Sequence, residues 1–295
     1  MKVMTNHERF AGSWYPQDPR ELVALFGAPG EAARQSANAP VLAVLPHAGL
    51  TFSGAGQGAF WYRWFERIQR DPPWDLVVIV SPSHYRHVPE GQIVGAPFTE
   101  FATPLGPLPG APVNLGDRED APLLEGEHGI ELLLPGVRHF LGESVPVAAV
   151  ITGPLPTTES ARAAAQRLLQ RLPDRRVLWL VSSDFTHYGA RFGYTPYGAS
   201  ADPAIREAVQ QDDLRVARGI AGGELPGYYA VLGQRSTVCG RYAAALALGC
   251  LEGSDGWSAR GSATGSTGNG AVLGWYTSPW PAASFVCYAT VEVCK

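Results

Sequence analysis

No run of lysine or arginine appears anywhere in this chain of 295 residues, and 23 basic against 27 acidic side chains leave a formal charge of -4. Nucleic acid and anionic membrane call for a basic stripe or patch, so neither is expected as a partner. No segment approaches the ~18 consecutive apolar residues of a membrane span, and the opening stretch MKVMTNHERFAGSWYP lacks the apolar centre of a signal peptide. A cytoplasmic protein is the expectation. Cysteine is scarce too: Cys239, Cys250, Cys287 and Cys294 form no CxxC pair and are too few for a disulfide framework, so they read as reduced thiols. Glycine (34) and proline (25) together make about a fifth of the chain, below the ~25–30% of low-complexity sequences. Against these absences stand 45% hydrophobic residues, including 8 Trp, 11 Tyr and 11 Phe. That is enough for a sizeable core.

What is present is a set of short, continuously apolar runs at 41–45, 76–80, 145–151 and 177–181. Strands buried on both faces of a parallel sheet read this way. Helical patterns lie between and after them, at 20–26, 55–67, 127–134, 159–171, 204–218 and 241–250, with Thr157 and Thr158 as plausible caps of the fourth. The alternation predicts an α/β fold with a mostly parallel central sheet. Two further alternating runs, 271–277 and 284–293, predict an antiparallel pair joined through the turn at 278–281. The Gly/Ser stretch 261–270 has no P-loop lysine and reads as a hairpin or surface loop. Without an internal repeat or a linker, the expectation is one domain over residues 1–295.

In open α/β sheets ligands bind beyond the carboxyl ends of the strands. The run 41–45 leads into Pro46-His47-Ala48-Gly49, the run 76–80 into Ser81-Pro82-Ser83-His84, and the run 177–181 into Ser182-Ser183-Asp184-Phe185-Thr186-His187-Tyr188. Three of seven histidines thus reach one edge. Each has a plain alternative as a surface or capping residue, and an Asx turn would account for Asp184, but the shared position favours a site. His7, His87 and His139 have no such setting and are expected in solvent, while His128 beside Glu127 is intermediate. The spacing of Asp184 and His187 suits a carboxylate and an imidazole turned into one pocket for proton transfer, assuming a contact between them. Cys239 precedes the helical pattern at 241–250, where the positive end of the helix dipole and nearby Arg241 are expected to favour the thiolate. Cys250, Cys287 and Cys294 read as core or strand residues.

Taken together, Arg9-Phe-Ala-Gly-Ser-Trp-Tyr-Pro16, Pro46-His-Ala-Gly49 with Ser53-Gly54, Ser81-Pro-Ser-His84, Glu127-His128 with Glu131-Leu132, Ser182-Ser-Asp-Phe-Thr-His-Tyr-Gly189 continuing to Pro196, and Thr237-Val-Cys-Gly-Arg241 resemble the Memo family. Its bacterial members are also called the B component of the AmmeMemoRadiSam system. The motifs occur in family order from about residue 9 to 293. The family is similar in fold to the class III extradiol, LigB-type, non-haem iron dioxygenases. The resemblance implies a three-layer α/β domain with His47, His84 and Cys239 at the metal positions, Asp184 and His187 beside them, and His187 placed as acid/base. It further implies Trp14, Glu127, His128, Tyr188, Arg191 and Arg241 as residues that touch substrate or support the ligands. Iron(II) or copper(I), one per chain, follows from it, with zinc possible. A small-molecule substrate follows too, and so do a radical SAM protein and an AMMECR-type protein as partners. Cys287, where a glycine is common, and the loop around Trp280 depart from the pattern.

Two imidazoles with a carboxylate suit Fe(II), whereas two imidazoles with a thiolate shift preference toward Cu(I), Zn or thiolate-bound iron. Two functions stay open at this point. One is a metal-dependent oxidoreductase, dioxygenase-like, acting on a small organic substrate. The other is a module that binds metal, protein or phosphotyrosine peptide without turnover, with Arg9, Arg191 and Arg241 as anchors. A metal-free hydrolase with Cys239 as nucleophile ranks last because it leaves His47 and His84 idle.

Overall fold

The computed structural model describes residues 3–28, 39–71, 73–200, 202–233, 236–254, 270–278 and 284–294. In chain order its strands are β1 (Thr5–Asn6), β2 (Pro40–Leu45), β3 (Leu76–Ser81), β4 (Ile93–Gly95), β5 (Glu100–Phe101), β6 (Leu108–Pro109), β7 (Arg118–Glu119), β8 (Val147–Thr152), β9 (Val177–Ser182), β10 (His187–Tyr188), β11 (Ala271–Thr277) and β12 (Phe285–Cys294). The four expected apolar runs are β2, β3, β8 and β9, and they sit at the middle of a nine-stranded sheet ordered β10-β12-β2-β9-β3-β8-β4-β7, with β11 on β12. β2, β9, β3 and β8 are mutually parallel, whereas β12 joins β2 antiparallel. The expected C-terminal pair therefore forms and also extends the main sheet. β1, β5 and β6 make a separate small sheet.

Alternate residues of each central strand enter different cores. Leu42, Val44, Val78, Val80, Val150 and Val181 face the side covered by α6 (Thr158–Leu169), α7 (Pro203–Ala221), α8 (Leu225–Val231) and α9 (Arg241–Gly253). Ala43, Leu45, Val77, Ile79, Ala149 and Leu180 face α2 (Leu50–Arg70) and α5 (Leu134–Leu141), which add Trp61, Trp64, Val137 and Phe140. Helices on both faces make a three-layer sandwich. Each Val, Ile or Leu so buried contributes ~1.5–3 kcal/mol relative to exposure, and this explains why the runs carry no polar alternation.

Local chemistry sets the helix ends. Thr157 and Ser160 form a reciprocal capping box that starts α6. α2 begins at Leu50, five residues before the expected start, because Leu50 and Ser53 are buried and the Ser53 hydroxyl donates to the Ala48 carbonyl; tertiary contact overrides poor helix propensity there. The stretch expected as one helix at 127–134 is instead α4 (His128–Glu131) followed by α5, with Pro135 in the first turn of α5. Proline fits a helix start and not its interior. Two short helices, α1 (Pro19–Ala24) and α3 (Ala121–Glu125), complete the set. The Gly/Ser positions 261–269 and the turn positions 279–281, including Trp280, lie outside the described residues. Among the described residues, no helix is long and apolar enough to cross a membrane.

Candidate metal centre

Three strand ends and one helix start converge. His47 follows β2, His84 follows β3, His187 opens β10 just beyond β9, and Cys239 directly precedes α9. Because β2, β9 and β3 are adjacent, residues far apart in sequence meet: the His47 and His84 ring centroids are 4.8 Å apart, and Cys239 Sγ is 3.1 Å from His47 Nε2 across 192 sequence positions. One ligand atom from each of His47, His84 and Cys239 falls within a mutual 4.8 Å. Cys239 reaches this place because α9 docks its start on the turn after β9. The Gly240 N–H donates to Ser183 Oγ, and a Cβ on Gly240 would stand 2.4 Å from that of Ser183, so no side chain fits there.

The imidazoles are held from behind. His84 Nδ1 lies 2.6 Å from Glu127 Oε1, and the His84 backbone N–H donates to Glu127 Oε2 at 2.8 Å. A carboxylate can only accept, so His84 carries its proton on Nδ1 and leaves Nε2 as a lone pair. His47 Nδ1 lies 2.6 Å from Ser182 Oγ. Glu127, which is buried, is the carboxylate of a carboxylate–histidine pair of the kind that backs metal ligands. Two imidazole nitrogens and one sulfur are a borderline-to-soft donor set suited to Zn, Cu(I) or iron, and three protein ligands leave positions open. The residues present therefore fit a metal ion.

Around the ligands the electrostatics are uneven. Burial, followed by the neighbouring imidazoles, holds His47 well below its ordinary value, and burial lowers His187 as well. His128 is pushed down to about 4 by burial and then by His84. Burial opposes the charge of Glu127, yet the hydrogen bond from His84 keeps it below the ordinary carboxylate range. Asp184, buried, rises to about 7 although it accepts the backbone N–H groups of His47 (2.8 Å) and Ala48 (3.3 Å). A cleft of about 300 Å³ opens onto His84 and Cys239 and is walled by Ser83, His87, Thr152 and Tyr242.

Most of the residues named from sequence are brought together here. Trp14 packs its ring 4.6 Å from that of His128, which in turn stands 4.2 Å from His84 and 5.1 Å from His47. Arg241 lines the cleft. Other expectations need correction. Asp184 does not touch His187: its carboxylate caps the turn bearing His47, while His187 Nδ1 lies 3.0 Å from the Phe185 carbonyl and its backbone N–H donates to Thr237 Oγ1. The Cys239 thiol is raised, first by burial and then by Asp184, and not lowered. Arg241 turns its guanidinium to the Val238 carbonyl and over the Tyr242 ring. Tyr188 is a core residue stacked on Phe285, with its hydroxyl donating to the Gly198 carbonyl. Arg191 lies over the Phe192 ring on the surface. His139, expected in solvent, is half-buried and stacked on Phe26.

Three supporting residues were not foreseen. Ser182 backs His47, Tyr85 reaches His128 Nδ1 at 3.0 Å, and Phe10 packs edge-on to Trp14. Glu131 secures that aromatic wall by accepting the N–H groups of Arg9 and Phe10 and the Tyr15 hydroxyl. Serine at a strand end and tyrosine in a loop are too common to stand out; the i, i+4 pair Glu127 and Glu131 flanking His128 was the available signal.

Known proteins are similar in sequence to this chain over most of its length. A MEMO1 family protein of Pyrococcus furiosus is 29% identical over 251 residues, covering 78% of this chain and 81% of its own. A MEMO1 family protein of Schizosaccharomyces pombe is 27% identical over 282 residues (82% and 86%), and the protein MEMO1 of Danio rerio is 28% identical over 266 residues (85% of each). The family model described as Memo-like protein matches residues 6–264, a span that includes every candidate ligand, and the chain belongs to the Memo-like family.

Proposed function

We propose that the protein is a metal-dependent oxidoreductase that acts on a small organic substrate at the cluster of His47, His84 and Cys239. The observation that carries this reading is the convergence of these three donors within 4.8 Å, with His84 and Cys239 lining a cleft. Iron(II) or copper(I) is the proposed ion, and zinc is compatible with the same donors. When bound, the ion supplies Lewis acidity and electron exchange. Glu127 orients the His84 ring, Trp14 and His128 wall the centre against water, and Asp184 fixes the turn that presents His47. His187, with Nδ1 at the Phe185 carbonyl, keeps Nε2 for taking a proton from a substrate hydroxyl and returning it.

Two measurements test this. Protein purified without oxygen should carry about one metal ion per chain, and Cys239→Ser or His84→Ala should lose it while staying folded; full metal content in both variants would refute the ligand set. His187→Ala should keep the metal yet lose oxygen uptake or substrate turnover by ~10²–10⁴. A fall in metal content in that variant would make His187 a ligand instead.

A second reading, binding of a phosphotyrosine peptide without turnover, draws on His87 and Arg241, which line the cleft, whereas the neighbouring Arg86 is paired with Asp120. Calorimetry with phosphotyrosine peptides that gives no heat would remove it.

A further inference from the structure

Gly129 and Ser182 have no role in the chemistry proposed above, yet they stand where the backs of the ligand residues meet. Gly129 lies on α4, one position after His128, and packs on the ends of β3 and β9. Ser182 ends β9, pairs with Leu45 at the end of β2 and is fully buried.

The hydroxyl of Ser182 lies between two groups. Its oxygen is 2.5 Å from the Gly129 carbonyl and 2.6 Å from His47 Nδ1. A hydroxyl has one proton and a carbonyl can only accept, so Ser182 donates to Gly129 and receives from His47. That order forces the His47 proton onto Nδ1 and leaves a lone pair on Nε2, the atom 3.1 Å from Cys239 Sγ. The other tautomer would set a lone pair against an oxygen whose proton is already committed, or else strand a buried carbonyl. The space permits no other arrangement at Gly129 either. A Cβ there would stand 2.3 Å from Ser81 Oγ, 3.2 Å from Ser182 Oγ and 3.3 Å from His47 Nδ1. Two residues earlier, Glu127 fixes His84 and also accepts the Gly129 N–H at 3.1 Å. One turn of chain, 127–129, therefore sets both imidazoles.

We infer that Gly129 and Ser182 are positioning residues forming a tautomer lock on His47, which presents its Nε2 lone pair to the sulfur and to a metal ion. The tautomer itself stands independently of the metal reading, and only the consequence for affinity rests on it.

Nitrogen NMR of histidine-labelled, metal-free protein reads the lock directly, with the His47 signals assigned by their loss in His47→Gln. The wild type should show His47 protonated at Nδ1; protonation at Nε2 overturns the proposal without any further variant. Ser182→Ala should shift His47 toward the Nε2–H form and weaken Zn²⁺ binding by ~10–100-fold in a competition titration. Ser182→Thr, which keeps the hydroxyl, should restore the Nδ1–H form. An unchanged His47 tautomer in Ser182→Ala would also overturn the proposal. A wild type with Nδ1–H and no Zn²⁺ affinity would uphold the lock and refute the metal reading, so the two fail separately.

Discussion

Glu292, on β12, and Asp184, just beyond β9, are both buried carboxylates, and the protein provides for them in opposite ways. Glu292, on β12, accepts from the Arg63 guanidinium at 2.9 Å and from the Trp64 indole at 2.8 Å, both on α2. Asp184 accepts from two backbone N–H groups, and no Arg or Lys side chain bonds it among the described residues. A buried charge matched by a fixed cation is part of the architecture, since removing either partner strands the other. A buried carboxylate left without one, among imidazoles and at the end of parallel strands, is the signature of a functional site. Counting buried acids would have treated the two alike; their partners separate them.

The largest expected effect lies on the architectural side. Glu292→Ala removes the carboxylate that Arg63, only 13% exposed, bonds and takes the acceptor from the buried Trp64 N–H, and should cost about 3–5 kcal/mol in urea unfolding. A loss below ~1 kcal/mol would dissolve the contrast.

Asp184→Asn should do the reverse. The amide keeps an acceptor oxygen for the His47 and Ala48 N–H groups and removes a carboxyl whose folded value of about 7 lies above its ordinary 3.8. A raised folded value gives a contribution that is full below 3.8 and is lost as the pH rises through 7. The metal-free variant should therefore exceed the wild type at pH 8 by up to roughly 4 kcal/mol, and the gain should fade toward pH 4. His128 runs the other way. Its folded value of about 4 lies below the ordinary 6.5, so its contribution is full above 6.5 and is lost as the pH falls toward 4. With Asp184 neutralised, stability should climb between pH 4 and 6.5 more steeply than in the wild type, and parallel curves would speak against both assignments.

The smallest effect sharpens the comparison at the site. If the carboxylate of Asp184 is there to favour a cation, Asp184→Asn should weaken metal binding about tenfold, ~1.4 kcal/mol. Equal affinity in a competition titration would make Asp184 a turn cap and nothing more.

Much of this was legible in the sequence because burial on both faces writes an unmistakable pattern. Residues 76–80 are apolar throughout because odd and even positions each enter a core. The post-strand histidines could be grouped because parallel strands deliver their ends to one edge. Ser182, by contrast, was quoted in a motif without a role, since its meaning depends on Gly129, 53 positions away. Asp184 and His187 were paired by spacing, but the chain between them turns so that one faces the backbone of 47–48 and the other the carbonyl of Phe185. The Cys239 thiolate failed because the sequence shows neither the burial of the thiol nor the Asp184 carboxylate beside it, and Arg241, two residues away, sends its guanidinium to Val238. Tyr188, adjacent to His187, points into the core because neighbouring positions on a strand face opposite sides.

The place of β12 in the sheet bears on the order of assembly during synthesis. This strand lies between β10 and β2, and its Val286 is the register partner of His187. His47, His84 and Cys239 have all been made once α9 has left the ribosome. The strand that bears His187 gains its partner only when residues 285–294 arrive, and non-local pairing of this kind is slow to form. A nascent chain therefore passes through a stage in which His47, His84 and Cys239 have all been made and the strand carrying His187 is still unpaired.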